Sequence, residues 1–239
     1  MLTAREVLGE KFTGTSNAFL AMKHDLEAMG TNAHELPMVM AALAGKDDEK
    51  LRDSQFEVLR QWQATYRGGL LVMLPDTFGT TQFLEGLSPV MARTWTGARP
   101  DSKPAIEAGE ELIAFWNRTD PGQASEKLII FSDGLDVKLP GHPLNGEDIP
   151  ALHAHFKVRA RLGFGWGTNL TNDFIGCHPL DANAMKSISL VCKVHQVEGR
   201  PAIKLSDNYE KATTGFPEEL ERYRRVFGNQ GMHNIPTRV

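Results

Sequence analysis

Four short segments with strand character, separated by segments with helical spacing, are the feature that most constrains the fold of this chain. The segments are Gly69–Pro75, Met91–Gly97, Lys127–Phe131 and Arg159–Phe164. The first and third contain the continuous apolar runs LLVML and LIIF, which are typical of strands buried in a sheet. Strands that alternate with helices along a chain predict an α/β fold with parallel strand pairing.

Apolar residues spaced by three and four predict the helices between and around these strands. The predicted helices are Ser16–Ala28, Glu35–Leu43, Asp53–Tyr66, Thr77–Leu84, Pro104–Asn117, Ala151–Val158 and Glu218–Phe227. Residues 138–150 are rich in Pro and Gly and are predicted to form a loop.

Near the C-terminus the pattern changes to β-branched and alternating residues. Ser187–Val197 and Pro201–Leu205 are predicted to form an antiparallel hairpin with its turn at Glu198–Gly199. The region is basic, and a hairpin with solvated lysines accounts for it without any functional role.

Composition excludes several classes of protein. The 239 residues contain 26 Lys and Arg against 30 Asp and Glu, and a net charge of −4 argues against general binding to nucleic acid. The sequence has neither an apolar run of the roughly 18 residues that span a bilayer nor a signal-peptide core. Its two cysteines exclude a disulfide scaffold and favour a reduced, cytoplasmic protein without a membrane partner.

Polar residues follow each of the four predicted strands of the sheet. They are Asp76 after the first, Arg99, Asp101 and Ser102 after the second, Ser132, Asp133 and Gly134 after the third, and Gly165, Gly167, Thr168 and Asn169 after the fourth. The carboxyl ends of parallel strands form one face, where sites of α/β proteins are built. We therefore expect these residues to lie near one another.

Each of these residues also has a purely structural interpretation. Asp76, Asp101 and Asp133 are good helix caps, and Arg99 is equally consistent with a solvated charge. The segment GFGWGTN, residues 163–169, fits an ordinary strand-to-helix turn or a loop whose backbone N–H groups bind a phosphate. The residues alone leave these alternatives open.

His34 precedes a predicted helix, where a lone histidine is usually a surface or core-edge residue. Met38 stands four residues after it, so the paired histidines of a helical zinc site are absent from this position. A catalytic role for His34 is the alternative.

The sequence resembles the nicotinate phosphoribosyltransferases over nearly its whole length. Six segments in the family's order carry the resemblance: FTGTSNAFLAMKHDLEAMGTNAHELPM, LPDTFGTTQFL, RPDSKPAIEAGE, LIIFSDGLD, FGWGTNLTNDF and GRPAIKLSDNYEKATTG. The resemblance implies an irregular α/β barrel of the type II phosphoribosyltransferases. It also implies an enzyme of NAD salvage that makes nicotinate mononucleotide from nicotinate and phosphoribosyl pyrophosphate. In the family, ATP hydrolysis is coupled to the reaction through a phosphorylated histidine, as in a ligase, and Mg²⁺ accompanies the pyrophosphate, so the resemblance implies both for this chain.

The resemblance places the phosphorylated histidine at His34, in GTNAHE, and its acidic partner at Asp76, in LPDTFGT. An aspartate bonded to one ring nitrogen would fix the tautomer and leave the other nitrogen to attack the γ-phosphoryl group of ATP. Asp101 and Asp133 complete the set of catalytic residues, and no residue is assigned as a metal ligand.

The same resemblance assigns the substrate-binding residues. Arg99, with Asp101 and Ser102, falls where relatives bind the carboxylate or amide of the pyridine and the ribose, and a guanidinium can donate two parallel hydrogen bonds to a carboxylate. Gly134, with Asp133, matches the loop that contacts the ribose. Gly165, Gly167, Thr168 and Asn169 match the loop that holds the 5′-phosphate.

Two departures from the family pattern leave alternatives. Many relatives have RHDSGDP where this chain has RPDSKPA, so the acid after the glycine is absent and Lys103 stands nearby. The RPDS form also occurs in nicotinamide phosphoribosyltransferases. The amide is therefore the alternative substrate. In addition, family members are usually much longer, and this chain matches their C-terminal part.

From this match, residues 1–178 are expected to form the main part of an incomplete barrel. Residues 179–239 are expected to form a C-terminal β-hairpin annex and a helix that pack on an N-terminal domain. An incomplete barrel has open strand edges, which proteins normally pair or cover. We therefore expect a homo-oligomer or a complementary N-terminal chain, and the alternative to an enzyme is a non-catalytic half-chain that needs a partner subunit.

Overall fold

The structure is a computed structural model that describes residues 2–66, 70–140, 144, 146–181, 184–212 and 216–234. Its α-helices are α1 (Leu2–Leu8), α2 (Ala18–His24), α3 (Glu35–Leu43), α4 (Asp48–Tyr66), α5 (Thr80–Gly86), α6 (Pro89–Thr94), α7 (Ala105–Thr119), α8 (Ile149–Phe156), α9 (Thr168–Thr171) and α10 (Pro217–Phe227). Its strands are β1 (Val72–Met73), β2 (Gly97–Ala98), β3 (Leu128–Phe131), β4 (Leu135–Asp136), β5 (Glu147–Asp148), β6 (Arg161–Phe164), β7 (Gln196–Val197) and β8 (Arg200–Pro201). The start of the predicted strand Gly69–Pro75 and the middle of the predicted loop 138–150 lie outside the described residues.

The main sheet is parallel and follows the order of the chain. Its strands lie in the order β1-β2-β3-β6, and each pairs in parallel with its neighbour. The connections contain α5 and α6, then α7, then α8. The predicted α/β class with a parallel sheet is confirmed, and the carboxyl ends of all four strands lie at one edge.

A large apolar core packs around this sheet. Trp95, Trp116, Ile129, Phe131 and Phe156 belong to it and are almost fully buried. Burying each such side chain stabilises the fold by about 1.5–3 kcal/mol relative to leaving it exposed. The core fixes the sheet from which the strand-end residues project.

A second apolar cluster joins the C-terminal region to α3 and α4. Ile203, Leu205 and Phe227 are buried in it together with Leu51 and Phe78, the residue that follows the Pro75–Thr77 turn. The rings of Phe78 and Phe227 are stacked, with their centroids 4.3 Å apart. The cluster therefore holds the chain immediately after Asp76.

The predicted strand Met91–Gly97 is wrong, because its first four residues belong to α6 and only Gly97–Ala98 forms a strand. The Ser88 side chain accepts a hydrogen bond from the backbone N–H of Met91, and Pro89 occupies the first helical turn. Serine followed by proline is a helix-start signal, and it outweighs the strand propensity of Thr and Trp in this segment.

The chain forms two compact units, Met1–Asn32 and Ala33–Val239. In the first unit the predicted helix Ser16–Ala28 is shortened to α2. Asp25 ends the helix in the left-handed conformation, with φ +51°. Beyond it, the backbone pairs Thr15 with Ala28 and draws residues 27–29 out of the helical path.

Other helices lie close to their predicted positions, and α3 has the predicted bounds. The α4 helix begins five residues earlier than predicted, because the Asp47 carboxylate accepts hydrogen bonds from the N–H groups of Glu49 and Lys50. That carboxylate caps the helix start and extends it.

The C-terminal hairpin is antiparallel and turns at Glu198–Gly199, as predicted, but each of its strands has two residues. Residues 187–195 have no strand partner among the described residues, and residues 202–208 run as buried, irregular backbone. The domain boundary expected at residue 178 stays a prediction. Among the described helices, none is long and apolar enough to cross a membrane.

Candidate active site

A cleft lies at the carboxyl edge of the sheet. It has a volume of about 160 Å³. The strand-end residues Asp101, Ser102, Asp133 and Gly134 line it, as do Glu147, Asn208 and Lys211 from other segments. The structure thus brings the ends of β2 and β3 together with a C-terminal segment.

His34 lies beneath this cleft, directly before α3, and is only 4% exposed. Its Nε2 is 3.0 Å from Oδ2 of Asp101, and its Nδ1 is 2.9 Å from Oγ1 of Thr77. An ionised carboxylate has no proton to donate, so Nε2 carries the hydrogen and Nδ1 accepts from the Thr77 hydroxyl. The tautomer of a neutral His34 is therefore fixed with its lone pair on Nδ1.

Asp101 is the residue that connects His34 to the cleft. One of its oxygens faces the imidazole, and the other accepts hydrogen bonds from Arg99 (2.9 Å) and from Ser132 (3.1 Å). Burial alone would raise the pKa of Asp101, but the His34 hydrogen bond and the Arg99 charge outweigh burial and lower it. Asp101 is therefore held as a carboxylate, which supports the tautomer assigned to His34.

Asp76 does not make the hydrogen bond to His34 that was expected of it. Its Oδ1 lies 3.9 Å from His34 Nε2, while its Oδ2 accepts a 2.6 Å hydrogen bond from the hydroxyl of Ser102. Ser102 draws the carboxylate away from the ring, and Asp101 takes the bonding position instead. Asp76 is fully buried, and its Oδ1 has no hydrogen-bond partner among the described residues.

The C-terminal segment KLSDN, residues 204–208, supplies a polar layer beneath the site that the sequence analysis missed. Ser206 Oγ donates to Ser102 Oγ over 2.8 Å, and the backbone N–H of Asp207 donates to the same hydroxyl over 3.1 Å. The Asp207 carboxylate accepts from the N–H and from the hydroxyl of Thr80, at the start of α5. A residue 127 positions away in the chain therefore caps this helix.

Burial, and next the nearby charge of Asp76, raises the pKa of Asp207 to about 7. Asp76 and Asp207 are both fully buried. The negative charge of Asp76 therefore adds to burial in favouring the protonated form of Asp207.

The interpretation of the C-terminal lysines as solvated is wrong for Lys204, which is 4% exposed. Its ammonium lies 3.4 Å from the hydroxyl of Ser206, within the polar layer. Lys103 is buried as well, and its Nζ is 2.6 Å from Oε2 of Glu111. A sequence signal for Asp207 and Asn208 was present, since they follow the predicted strand Pro201–Leu205 as polar residues follow the strands of the parallel sheet.

The loop after β3 places Asp133 and Gly134 in the cleft wall, with φ angles of +68° and +59°. Asp133 accepts a hydrogen bond from Nζ of Lys211. Burial raises the pKa of Asp133, and the positive charge of Lys211 opposes that change.

The glycine loop after β6 lies at the same edge of the sheet but outside the described cleft lining. Gly165 donates its N–H to the carbonyl of Phe131, the last residue of β3, and so continues the pairing of β6 with β3 by one residue. The Asn169 side chain donates to the carbonyl of Leu135 and accepts from Ser187, so both ends of its amide are engaged. Gly167 directly precedes α9, which begins at Thr168, and the phosphate-binding role of this loop stays a prediction.

A cation could be held beside His34. Ligand atoms of His34, Asp76 and Asp101 lie within 4.8 Å of one another. The unpartnered oxygen of Asp76 points to the same group of atoms. Carboxylate oxygens suit Mg²⁺, so the two aspartates fit the metal that the resemblance implies.

Comparison with known proteins identifies the family to which this chain belongs. The model of the nicotinate phosphoribosyltransferase (NAPRTase) family matches residues 4–231. This chain belongs to that family. The resemblance seen in the sequence is thereby confirmed.

Solved nicotinate phosphoribosyltransferases share the fold. The chain is similar to the enzyme of Vibrio cholerae, with 31% identity, a TM-score of 0.79, and 95% of this chain and 50% of that chain covered. It is also similar to the enzyme of Porphyromonas gingivalis, with 28% identity, a TM-score of 0.70, and 90% of this chain and 51% of that chain covered. The chain therefore spans about half the length of these relatives, and its parallel sheet is that of an incomplete α/β barrel.

Proposed function

We propose that this chain carries the catalytic part of a nicotinate phosphoribosyltransferase. It would transfer phosphoribosyl from phosphoribosyl pyrophosphate to nicotinate, giving nicotinate mononucleotide for NAD salvage and releasing pyrophosphate. The observation that supports this best is the His34–Asp101 pair at the carboxyl edge of the sheet, where Asp101 also lines the cleft. A family member with these side chains in place has the parts that the chemistry needs.

His34 is the proposed site of transient phosphorylation. With its Nε2 hydrogen held by Asp101, the Nδ1 lone pair is the nucleophile once the Thr77 hydroxyl turns away. The N–P bond to the γ-phosphoryl group forms as the P–O bond to ADP breaks, and water later hydrolyses the phosphohistidine to release phosphate. The cycle would shift the enzyme between states with different affinity for substrates and products.

At the sugar, the C–O bond to pyrophosphate breaks and the C–N bond to the pyridine forms, through a state with oxocarbenium character. Asp101 and Asp133 face the cleft and offset the developing positive charge. Arg99 donates hydrogen bonds to Asp101 and to Ser132, and these contacts orient its guanidinium. A pyridine carboxylate would therefore bind to a guanidinium that is already oriented. The roles of Ser102, Gly134 and the loop of Gly165, Gly167, Thr168 and Asn169 belong to the same proposal.

Asp76 and Asp101 are the residues proposed to hold Mg²⁺. Bound there, Mg²⁺ would neutralise charge on the pyrophosphate or on ATP. The Ser102 hydroxyl orients Asp76 for this role, and Arg99 orients Asp101.

We propose that a second copy or a complementary N-terminal chain completes the site. The chain spans half of its relatives, and β1 and β6 each pair with one neighbour among the described strands. Ile188, Leu190 and Val191, in the segment predicted as a strand, are 56%, 89% and 66% exposed. A cytoplasmic location is part of the proposal, and the two cysteines, both free and exposed, support it.

The test is formation of nicotinate mononucleotide by the purified chain, alone and with the N-terminal region of a relative added. Phosphoribosyl pyrophosphate, Mg²⁺ and either nicotinate or nicotinamide are supplied, with and without ATP. We expect product from nicotinate and stimulation of its formation by ATP. Absence of product in every combination would contradict the proposal, and preference for the amide would reassign the substrate.

The coupling role of His34 is tested in the same assay. In His34→Ala we expect the stimulation by ATP to disappear, while formation without ATP stays within about threefold. His155→Ala is the matched control, because His155 also bonds a carboxylate, that of Glu110, but on the surface. Equal loss with and without ATP in His34→Ala would show that His34 acts outside ATP coupling.

A further inference from the structure

An ion pair connects two walls of the cleft. Lys211 donates from Nζ to Oδ2 of Asp133, and both residues line the cleft. Asp133 follows β3, whereas Lys211 ends the short turn Tyr209–Lys211, 78 residues later in the chain. The Asn208 side chain accepts from the N–H of Glu210 and so fixes the turn that carries Lys211.

Among the charged groups of the cleft lining, the ammonium of Lys211 differs from that of Lys103 in its exposure and in its partner. The described lining contains the carboxylates Asp101, Asp133 and Glu147 and the ammonium groups of Lys103 and Lys211. The Lys103 side chain is 2% exposed and is held by Glu111, whereas that of Lys211 is 18% exposed and is held by a residue of the cleft itself. Within the described lining, Lys211 is therefore the cation that a ligand can both reach and release from its partner.

The position of Asp133 in the cleft wall explains why its carboxylate binds a cation in the absence of ligand. It is fixed in the left-handed region with φ +68°, so its position in the wall is set by the backbone. Its side chain is 40% exposed, and in the absence of ligand the ammonium of Lys211 neutralises its charge. If the ammonium leaves, the carboxylate needs other donors, and sugar hydroxyls are suitable ones.

We propose that Lys211 binds the polyphosphate group of the substrate, and that Asp133 holds its ammonium as an internal competitor until the ligand displaces it. This inference rests on the proposed function, which supplies a substrate with a diphosphate group. In the exchange the ammonium gives up one carboxylate oxygen and gains phosphate oxygens, and Asp133 turns to the hydroxyl groups of the ligand. A lysine suits this exchange, because its point charge sits on a flexible chain.

The test is a double-mutant cycle on the full chain, with inorganic pyrophosphate as the probe and calorimetry at fixed Mg²⁺ and ionic strength. We expect Lys211→Met to weaken binding about tenfold or more, since it removes a charge-assisted hydrogen bond. We expect Asp133→Asn to tighten binding about threefold or more, because the competitor for the ammonium is lost. In the Lys211→Met background, that gain should fall to less than about half.

Controls separate this site from general charge effects. Lys211→Arg should bind within about threefold of the unaltered chain, since it keeps the charge. Lys50→Met is the matched control, because Lys50 also pairs with an aspartate, Asp47, but on the exposed start of α4. Lys50→Met should leave binding unchanged. Thermal unfolding of each variant checks that it is folded, and Lys211→Gln replaces Lys211→Met if the latter is not.

Three results would overturn the inference: no binding to the unaltered chain, equal binding by Lys211→Met, or an Asp133→Asn gain of equal size in both backgrounds. None of these depends on product formation. Nicotinate mononucleotide synthesis with binding that is independent of Lys211 would retain the proposed function and reject this site. Pyrophosphate binding that depends on Lys211, without any synthesis, would retain this site and reject the proposed function.

Discussion

The layer beneath His34 and the glycine loop after β6 are built in opposite ways, although both lie at the same edge of the sheet. Asp76, Thr80 and Asp207 are fully buried, and the carboxylates of both aspartates accept hydrogen bonds from hydroxyl groups. Gly165 and Gly167 are exposed, and a Cβ at Gly167 would meet no atom within 4 Å.

The difference follows from the task proposed for each region. A side chain that is to be phosphorylated must be oriented before its partner arrives, so folding supplies its contacts. A loop that is to bind a phosphate needs free N–H groups and room, so its contacts come from the ligand. The buried layer beneath His34 is therefore the part of the site that folding forms, and the exposed glycine loop is the part that the substrate is expected to complete.

The largest expected effect comes from breaking the buried layer. Phe78 is fully buried, stacks on Phe227 and follows the turn that carries Asp76 and Thr77. We expect Phe78→Ala to lower the free energy of unfolding by about 3–5 kcal/mol, because it leaves a cavity in the second apolar cluster. Urea unfolding measures the change.

Phe19→Ala is the control for Phe78→Ala, because Phe19 is 62% exposed. Its free energy of unfolding should stay within about 0.5 kcal/mol of the unaltered chain. A loss in Phe78→Ala no greater than this would show that the second cluster does not support the site.

A smaller effect is expected when Asp207 loses its charge. Its pKa of about 7 in the folded chain lies above the ordinary aspartate value. The folded state therefore binds more protons than the unfolded state, and this group makes the chain less stable as pH rises up to about 7. Asp207→Asn removes that contribution.

We expect the urea midpoint of the unaltered chain to fall more between pH 5 and pH 7.5 than that of Asp207→Asn. Curves measured for the two proteins at several pH values in this range check the difference. Parallel curves would show that Asp207 titrates in the ordinary range and that burial beside Asp76 does not control it.

The smallest effect on stability is expected in the open region. We expect Gly167→Ala to change the free energy of unfolding by less than about 0.5 kcal/mol, since the added methyl group meets open space. That space is where the 5′-phosphate is expected, so affinity for phosphoribosyl pyrophosphate should fall about threefold or more. Urea unfolding and calorimetry measure the two quantities, and unchanged affinity would place the phosphate elsewhere.

Local patterns were sufficient for much of the fold. Helical spacing located α3, α7 and α10, and the apolar run LIIF located β3. The predicted strand Met91–Gly97 is replaced over its first four residues by α6, because Ser88 and Pro89 start a helix there. Alternating residues at 187–195 predicted a strand, but a strand needs a neighbour, and residue type does not supply one.

In the site, the polar residues that follow strands were identified because parallel strands bring their ends together. Which carboxylate meets His34 could not be predicted, because Asp76 and Asp101 both follow strands. It is the folded structure that shows Asp101 bonded to His34 and Asp76 bonded to Ser102. The contacts of Asp207 and Lys211 could not be predicted for a related reason. Their partners, Thr80 and Asp133, lie 127 and 78 residues away, and no local pattern records such contacts.

The cap that Asp207 places on α5 has a consequence for synthesis of the chain. Thr80 leaves the ribosome well before residue 207, so the start of α5 waits for more than half of the chain to be translated. Contacts between such distant residues also slow folding, because a long loop must close first. A nascent chain that stalls or is cleaved before this residue would carry every strand of the parallel sheet and still lack the layer that fixes Asp76.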